Sequence, residues 1–355
     1  MNKSFDAQGA QFAWDSTSIK LVESCLLKYK YKMIDGWQPE RKSVHLLFGG
    51  WYATALEHFH KYIAQGDEYE NALHAVVHEA LISTWEFPIC EECKGTGKLD
   101  ATARVRAENP GFKVDWAEDD CDKCGGGIDI NGYVHLIPTG RTEGGQPWVS
   151  DHNTKTRENL IRTIIWYLEQ FRDDPTPTVI LSDGKPMVEQ SFRIPVDDGI
   201  VLAGHLDRGV TYGGHVYIQD QKTTGSTITA RFFDQFSPDT QMSLYTFAGR
   251  MIFDLPIKGV MIDGAQIAVG FTRFERGFTF RDEAQLNEWY DGALNTIEVA
   301  RRATIDNYFP MNASSCGNFG GCEFRHICSR SPHVRKQFLK ADFVQGKTWD
   351  PLESR

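Results

Sequence analysis

Two strand-like runs at 201–208 and 215–222 lie either side of Gly213-Gly214, and this arrangement confines the chain to a tight hairpin. Adjacent glycines supply the positive backbone angles of a two-residue turn. With Tyr212 and His215 flanking the turn as a pair, Asp207 falls opposite Asp220, and His205 opposite Lys222. The two-residue period of a strand sets Asp220 and Lys222 on one face and Gln221 on the other. Opposed side chains start about 5 Å apart at Cβ, so two carboxylates and an ammonium converge on one patch. Like charges at that separation are balanced by a hard divalent cation with oxygen ligands. The competing reading is a solvated charged face, because Asp-x-Lys is a common triplet.

Downstream, Asp239-Thr-Gln-Met-Ser-Leu-Tyr245 places Gln241 and Tyr245 four residues apart, on one face of a helix. Together with Gly204-His-Leu-Asp-Arg208 and Asp220-Gln-Lys-Thr223, this segment resembles the motifs of the PD-(D/E)XK nuclease superfamily, in its RecB-like and AddB-like iron–sulfur exonuclease branch of phage type. The resemblance covers residues 16–65 and 155–330. It implies a restriction-endonuclease-like α/β core, a mixed sheet flanked by helices, and Mg²⁺- or Mn²⁺-dependent hydrolysis of DNA. Asp207, Asp220 and the Gln221 carbonyl would hold the ion. Lys222 would orient water or stabilise the phosphoryl oxygens, and Gln241 and Tyr245 would position Lys222 or the DNA strand. One departure stands out: in Phe48-Gly-Gly-Trp-Tyr-Ala-Thr-Ala-Leu-Glu57, Ala53 occupies the family's histidine position while Glu57 keeps the acidic one. Glu57 is therefore the helix candidate for the metal shell. His58 and His60 read as solvent-facing, and Glu189, on the strand before the hairpin, is a lesser candidate.

Eight cysteines without a secretory leader suggest metal binding before disulfides. Cys90, Cys93, Cys121 and Cys124 form two C-x-x-C pairs 27 residues apart, followed by Gly95, Gly97, Gly125 and Gly126. Four thiolates make a closed tetrahedral site suited to structural zinc; a redox dithiol pair or unliganded thiols are the alternatives. Cys90-x-x-Cys-x-Gly-x-Gly97 also resembles the zinc module of DnaJ-type chaperones. The stretch 99–120 is polar and charged, so the metal would staple an insertion too small to hold a core. The other set is Cys25, Cys316, Cys322 and Cys328. The resemblance implies a 4Fe–4S cluster here, with one early and three late cysteines. Cys316 is its least regular member, separated from Cys322 by five residues where the family has two. Four thiolates suit either iron–sulfur or zinc, and buried free cysteines are the third reading.

At 355 residues and 41% hydrophobic content, the chain suits a soluble globular protein of one or two domains. No run of about eighteen apolar residues or signal-like start is present, so a cytoplasmic location is expected. The net charge of −10 argues against a broadly basic nucleic-acid coat. Contacts with DNA, single-stranded or at duplex ends, should then be local, with Lys28, Lys30, Lys32, Arg157 and Arg162 as weak candidates. The expected parts are an N-terminal helical part at 1–87, a zinc insertion at 88–146, a nuclease core at 147–310 and an iron–sulfur segment at 311–355. Helices are expected at 17–33, 49–65, 71–85, 156–171, 229–235, 238–252 and 282–305. Strands are expected at 178–182, 187–195, 200–208, 215–222, 260–271 and 277–281, with 1–15 loosely ordered. The function implied is a DNA exonuclease of replication, recombination or repair, with partner proteins from those processes. The alternative is a catalytically weakened DNA-binding or adaptor protein on the same fold.

Overall fold

A six-stranded mixed sheet carries the hairpin read from the sequence. The computed structural model describes residues 4–6, 9–40, 43–124, 129–130, 134–135, 140–142, 144–196, 199–253, 255–346 and 349–353. In chain order the elements used below are β1 (Ala13–Trp14), α1 (Ser16–Ser24), α2 (Val44–Gln65), α3 (Tyr69–Ser83), α4 (Arg157–Gln170), β2 (Val188–Pro195), β3 (Val201–Tyr212), β4 (His215–Thr224), α5 (Thr240–Ile252), β5 (Ile257–Ile267), β6 (Thr272–Phe280) and α6 (Glu283–Ile305). The strand order is β1-β3-β4-β5-β6, with β2 paired to β3.

β3 organises this sheet. On one edge it pairs antiparallel with β2, from Val201↔Pro195 to Leu206↔Gln190. The opposite edge is shared. β1 runs parallel to it at Val201 and Leu202, and β4 runs antiparallel from Arg208↔Gln219 to Tyr212↔His215. Between those two partners the edge is open, and Asp207 sits at the end of the opening. β4 then pairs parallel with β5, and β5 antiparallel with β6.

The chain divides into two compact units, residues 1–47 with 171–355, and residues 48–170. In the first, Ile19 and Val22 of α1, Met242, Leu244 and Ala248 of α5, and Ala293, Ile297 and Ala300 of α6 join Ile218, Val260 and Ile262 of the sheet in one buried cluster. Each large aliphatic chain so buried contributes about 1.5–3 kcal/mol. Asp15 and Ser18 form a capping box that starts α1, and Asp282 with Gln285 does the same for α6. In the second unit, Tyr52 meets Tyr167 edge-on at 6.0 Å, and Arg157 donates to the Thr84 hydroxyl and the Leu81 carbonyl. These contacts tie α2 and α3 to α4.

Several expectations are corrected. Residues 13–14 are a sheet strand rather than loose chain, because Trp14 is buried and stacks on Tyr29 at 5.7 Å. The helix expected at 17–33 breaks at Cys25, whose backbone is extended (φ −168°, ψ 116°), and resumes over Leu26–Tyr29 before a wider turn at Lys30–Ile34. The strand expected at 178–182 is only a pair of isolated bridges, Thr178↔Val210 and Ile180↔Pro186. Proline at 177 and 186 deprives that segment of ladder donors.

Candidate active site

Gly213 and Gly214 turn the hairpin with φ of 56° and 78°, the positive angles the two-residue turn requires. The expected register holds from Tyr212↔His215 to Arg208↔Gln219. Asp207 and Asp220 are the next residues along, just where the ladder ends. Instead of another backbone pair, the Gln221 N–H donates to Asp207 Oδ2 at 3.1 Å. His205 is not across from Lys222; its Nδ1 bonds the Ser191 hydroxyl of β2 at 2.9 Å, because this part of β3 pairs on its other edge.

Asp220 and Lys222 share a face, with Lys222 Nζ 2.5 Å from Asp220 Oδ2. Lys222 also donates to Gln241 Oε1 at 3.2 Å, and Gln241 Nε2 donates to the Tyr245 oxygen at 2.9 Å. α5 delivers both residues because Asp239 caps it, accepting from the N–H groups of Gln241 and Met242. Lys20 of α1 holds that cap at 2.6 Å. The four side chains thus form one chain of contacts from Asp220 to Tyr245.

Burial pushes the Asp207 carboxyl up to about 7; Asp220 adds to this, Lys222 opposes it and Glu189 adds again. Burial also raises Asp220, against the pull of Lys222. Lys222 resists desolvation and is raised by Asp220 and Asp207. Tyr245 is held well above the usual phenol range by burial and by the two carboxylates. Asp220 is 1% exposed, and its Oδ2 has no directed hydrogen bond despite the nearby ammonium. Two enclosed carboxylates with spare oxygen lone pairs are the donor set a hard divalent ion takes.

Directly behind this patch lies a network that sequence reasoning missed. Arg208 donates to Gln219 Oε1 at 3.0 Å, and Gln219 Nε2 donates to Asp263 Oδ2 at 2.6 Å. Arg276 approaches Asp263 at 3.4 Å and grips both oxygens of Asp174 at 2.7 and 2.8 Å. Its only signal in the sequence is that Arg208 and Gln219 alternate with Asp207 and Asp220 on neighbouring strands.

Glu57 lies on α2, in the second unit, and pairs with Lys61 one turn along. His58 is not simply solvent-facing: its Nδ1 lies 2.6 Å from Glu79, which also accepts from the Tyr62 hydroxyl. The hydrogen bond to Glu79 raises the His58 pKa. His60 is half-buried and lies edge-on to Phe59 at 5.6 Å. The weak DNA-contact candidates are engaged within the chain. Lys28 and Lys32 pair with Glu323, Lys30 pairs with Asp35, and Arg162 covers Trp166.

The two cysteine sets differ in spacing. Cys90 and Cys121 sulfurs are 3.9 Å apart, Cys93 and Cys124 sulfurs 3.7 Å, and all four lie within 4.8 Å of one another. Ligands at zinc–sulfur distance around a tetrahedral ion stand about 3.8 Å apart, so this set fits one ion. Gly97 donates to Cys93 Sγ at 3.3 Å. Although burial opposes it, the N–H groups of Gly97 and Gly95 and the neighbouring thiols hold Cys93 down at about 6. Gly125 and Gly126 lie outside the described residues. The second set shares one cleft: Cys25, Cys316, Cys322 and Cys328 line it with Lys28 and Phe324. Asn312 draws the two ends of the chain together there, its N–H on Cys25 Sγ and its amide on the Ser24 carbonyl. No three sulfurs of this set come within 4.8 Å of one another. Burial raises the Cys328 thiol to about 11, and the other three cysteines add to the effect.

The family model of the PD-(D/E)XK nuclease superfamily matches residues 14–329. No curated protein matches the chain in sequence. Among the described residues, no helix is long and apolar enough to cross a membrane.

Proposed function

The chain belongs to the PD-(D/E)XK nuclease superfamily, and from that membership we propose that it is a Mg²⁺- or Mn²⁺-dependent DNA exonuclease of the RecB-like, AddB-like branch. The observation that carries this reading is the opening in the β3–β4 ladder, where Asp207 and Asp220 stand side by side with Lys222 against Asp220. Asp207, Asp220 and the Gln221 carbonyl would hold the ion. When bound, the divalent ion supplies Lewis acidity, making water a better nucleophile and offsetting charge that builds on the phosphate. Lys222 presents its ammonium to the phosphoryl oxygens or the attacking water, an electrostatic role that depends on being held in place beforehand. Gln241 and Tyr245 do that holding. Glu57 is the helix acid that the resemblance assigns to the metal shell.

The supporting sites follow the same logic. The spacing of Cys90, Cys93, Cys121 and Cys124 supports structural zinc. It fills all four positions of the ion and leaves none for water or phosphate. The wider set, Cys25, Cys316, Cys322 and Cys328, supports a 4Fe–4S cluster, which is several atoms across, over a single ion. In terms of roles, residues 1–87 carry the first cluster cysteine and Glu57, 88–146 the zinc insertion, 147–310 the nuclease core and 311–355 the remaining cluster ligands. The protein would work in the cytoplasm on single-stranded DNA or duplex ends in replication, recombination or repair, alongside proteins of those processes, in the manner of phage-type enzymes.

Digestion of end-labelled single- and double-stranded DNA tests this. Cleavage should need Mg²⁺ or Mn²⁺ and vanish in Asp220→Ala and Lys222→Ala chains that still fold. Full activity in EDTA, or undiminished activity in both variants, sinks the assignment. Ala53 favours the second reading, a weakened DNA-binding or adaptor protein; tight DNA binding without any cleavage would establish it.

A further inference from the structure

The β2–β3 register, carried one residue beyond Leu206↔Gln190, sets Glu189 level with Asp207. The β3–β4 register, carried one residue beyond Arg208↔Gln219, sets Asp220 level with Asp207 on the other side. The three carboxylates therefore follow the last paired residues of the two ladders at one level on adjacent strands, and their oxygens do not all lie within 4.8 Å of one another, so an ion would have to draw them together. At the third of these positions, Asp220 Oδ2 is buried and has no directed hydrogen bond.

The backbone at Glu189 is unusual. Its φ is 49°, in the left-handed region, whereas the other described non-glycine residues with positive φ, Lys94 and Asn307, lie in turns. An L-residue with a side chain is sterically disfavoured there, and glycine is not. Such conformations persist where the surroundings impose them and cluster at functional sites. A bulge alone would explain the kink but not why a carboxylate occupies it. Gln190, the next residue, is turned to local work: its amide donates to the Pro186 and Val188 carbonyls. The charge of Glu189 is felt at both Asp207 and Tyr245.

We infer that Glu189 is a third carboxylate of the cation site, its two-methylene stem bringing an oxygen to an ion held between Asp207 and Asp220. This rests on the reading that the Asp207–Asp220 patch binds a divalent ion. The strained backbone is then the cost of holding a charged side chain beside the catalytic strand, and a glycine there would relax the chain while emptying the position of its ligand.

The test is Mn²⁺ titration of the full chain, followed by the loss of the free-ion paramagnetic resonance signal and by calorimetry. Thermal melts are recorded without the ion. Glu189→Gln and Glu189→Gly should both weaken Mn²⁺ binding about tenfold or more, with the glycine variant melting at or above the parent. Glu189→Gln keeps the shape of the side chain, so it decides the matter if the glycine variant folds poorly. Parent-like Mn²⁺ affinity in both variants, with affinity lost in Asp220→Asn, overturns the role of Glu189 and leaves the cation site standing. No Mn²⁺ binding by the parent overturns the cation site, and the inference with it.

Discussion

The two faces of β3 and β4 are built from neighbouring residues and do opposite things. Arg208 and Gln219 face a network in which two arginines, Arg208 and Arg276, are set against two carboxylates, Asp174 and Asp263. One residue away along each strand, Asp207 and Asp220 are crowded together, with one lysine set against Asp220. A buried polar network rigidifies a fold when its members are satisfied. The same low dielectric penalises a group left short of partners. The rear network fixes where the strands lie, and the front patch uses that rigidity to hold charges that would otherwise move apart. Stability and chemistry are thus separated by a single step of strand alternation.

That division can be broken first at Asp220. Asp220→Asn should lower DNA cleavage on the order of a thousandfold, yet melt at or above the parent temperature without added metal, since a poorly matched buried charge is gone. Initial rates and thermal melts on the same preparation check this; a destabilised variant would mean the front patch also holds the fold together. Asp263→Ala is the converse. It deprives Gln219 and Arg276 of their shared carboxylate, and losing one partner of a buried pair costs about 3–5 kcal/mol, measurable by urea unfolding. A change below about 1 kcal/mol would show that the rear network is dispensable.

The pH dependence comes next in size. The folded chain holds the Asp207 proton up to about 7, against an ordinary value of 3.8. Between those values the folded state binds more protons than the unfolded one. This stabilisation is therefore complete below about pH 4 and lost as pH rises through 7. In EDTA, the parent minus Asp207→Asn difference in unfolding free energy should fall by about 2 kcal/mol across that window, allowing for the solvent that reaches Asp207. A flat difference would contradict the crowding of the front patch. The smallest effect belongs to Gln241→Leu, which removes one of two contacts holding Lys222 and should cost about tenfold in rate, a single hydrogen bond to a charged group. An unchanged rate would place the control of Lys222 in Asp220 alone.

The hairpin was legible because local rules converge on it: adjacent glycines, alternating apolar residues and a two-residue turn leave one register open. Gln241 and Tyr245 were legible for the same reason, a helical spacing behind an aspartate that caps the helix. Long-range partners were not. His205 turns to Ser191 because β3 exchanges neighbours along its length, which no local pattern records. The break at Cys25 escaped because the flanking residues favour helix, while the bonds that pin the cysteine come from residue 312. The rear network escaped because its members are scattered from Asp174 to Arg276. Glu189 is a mixed case, since its strand was expected and its left-handed backbone was not.

The early and late parts of the chain are interleaved throughout the first unit. Residues 13–14 pair with 201–202, Trp37–Pro39 pairs with Phe343–Gln345, and Trp349 donates to Asp15. On the ribosome, therefore, residues 13–14 have no sheet to join until residues 201–202 have emerged, and Trp37–Pro39 finds its partner only with Phe343–Gln345. Contacts this distant in sequence are slow to form and leave apolar surface bare meanwhile. Trp14 and Trp37 are the exposed tokens of that delay, and a ribosome stalled before residue 343 would yield a product whose Trp37–Pro39 segment has no strand to pair with.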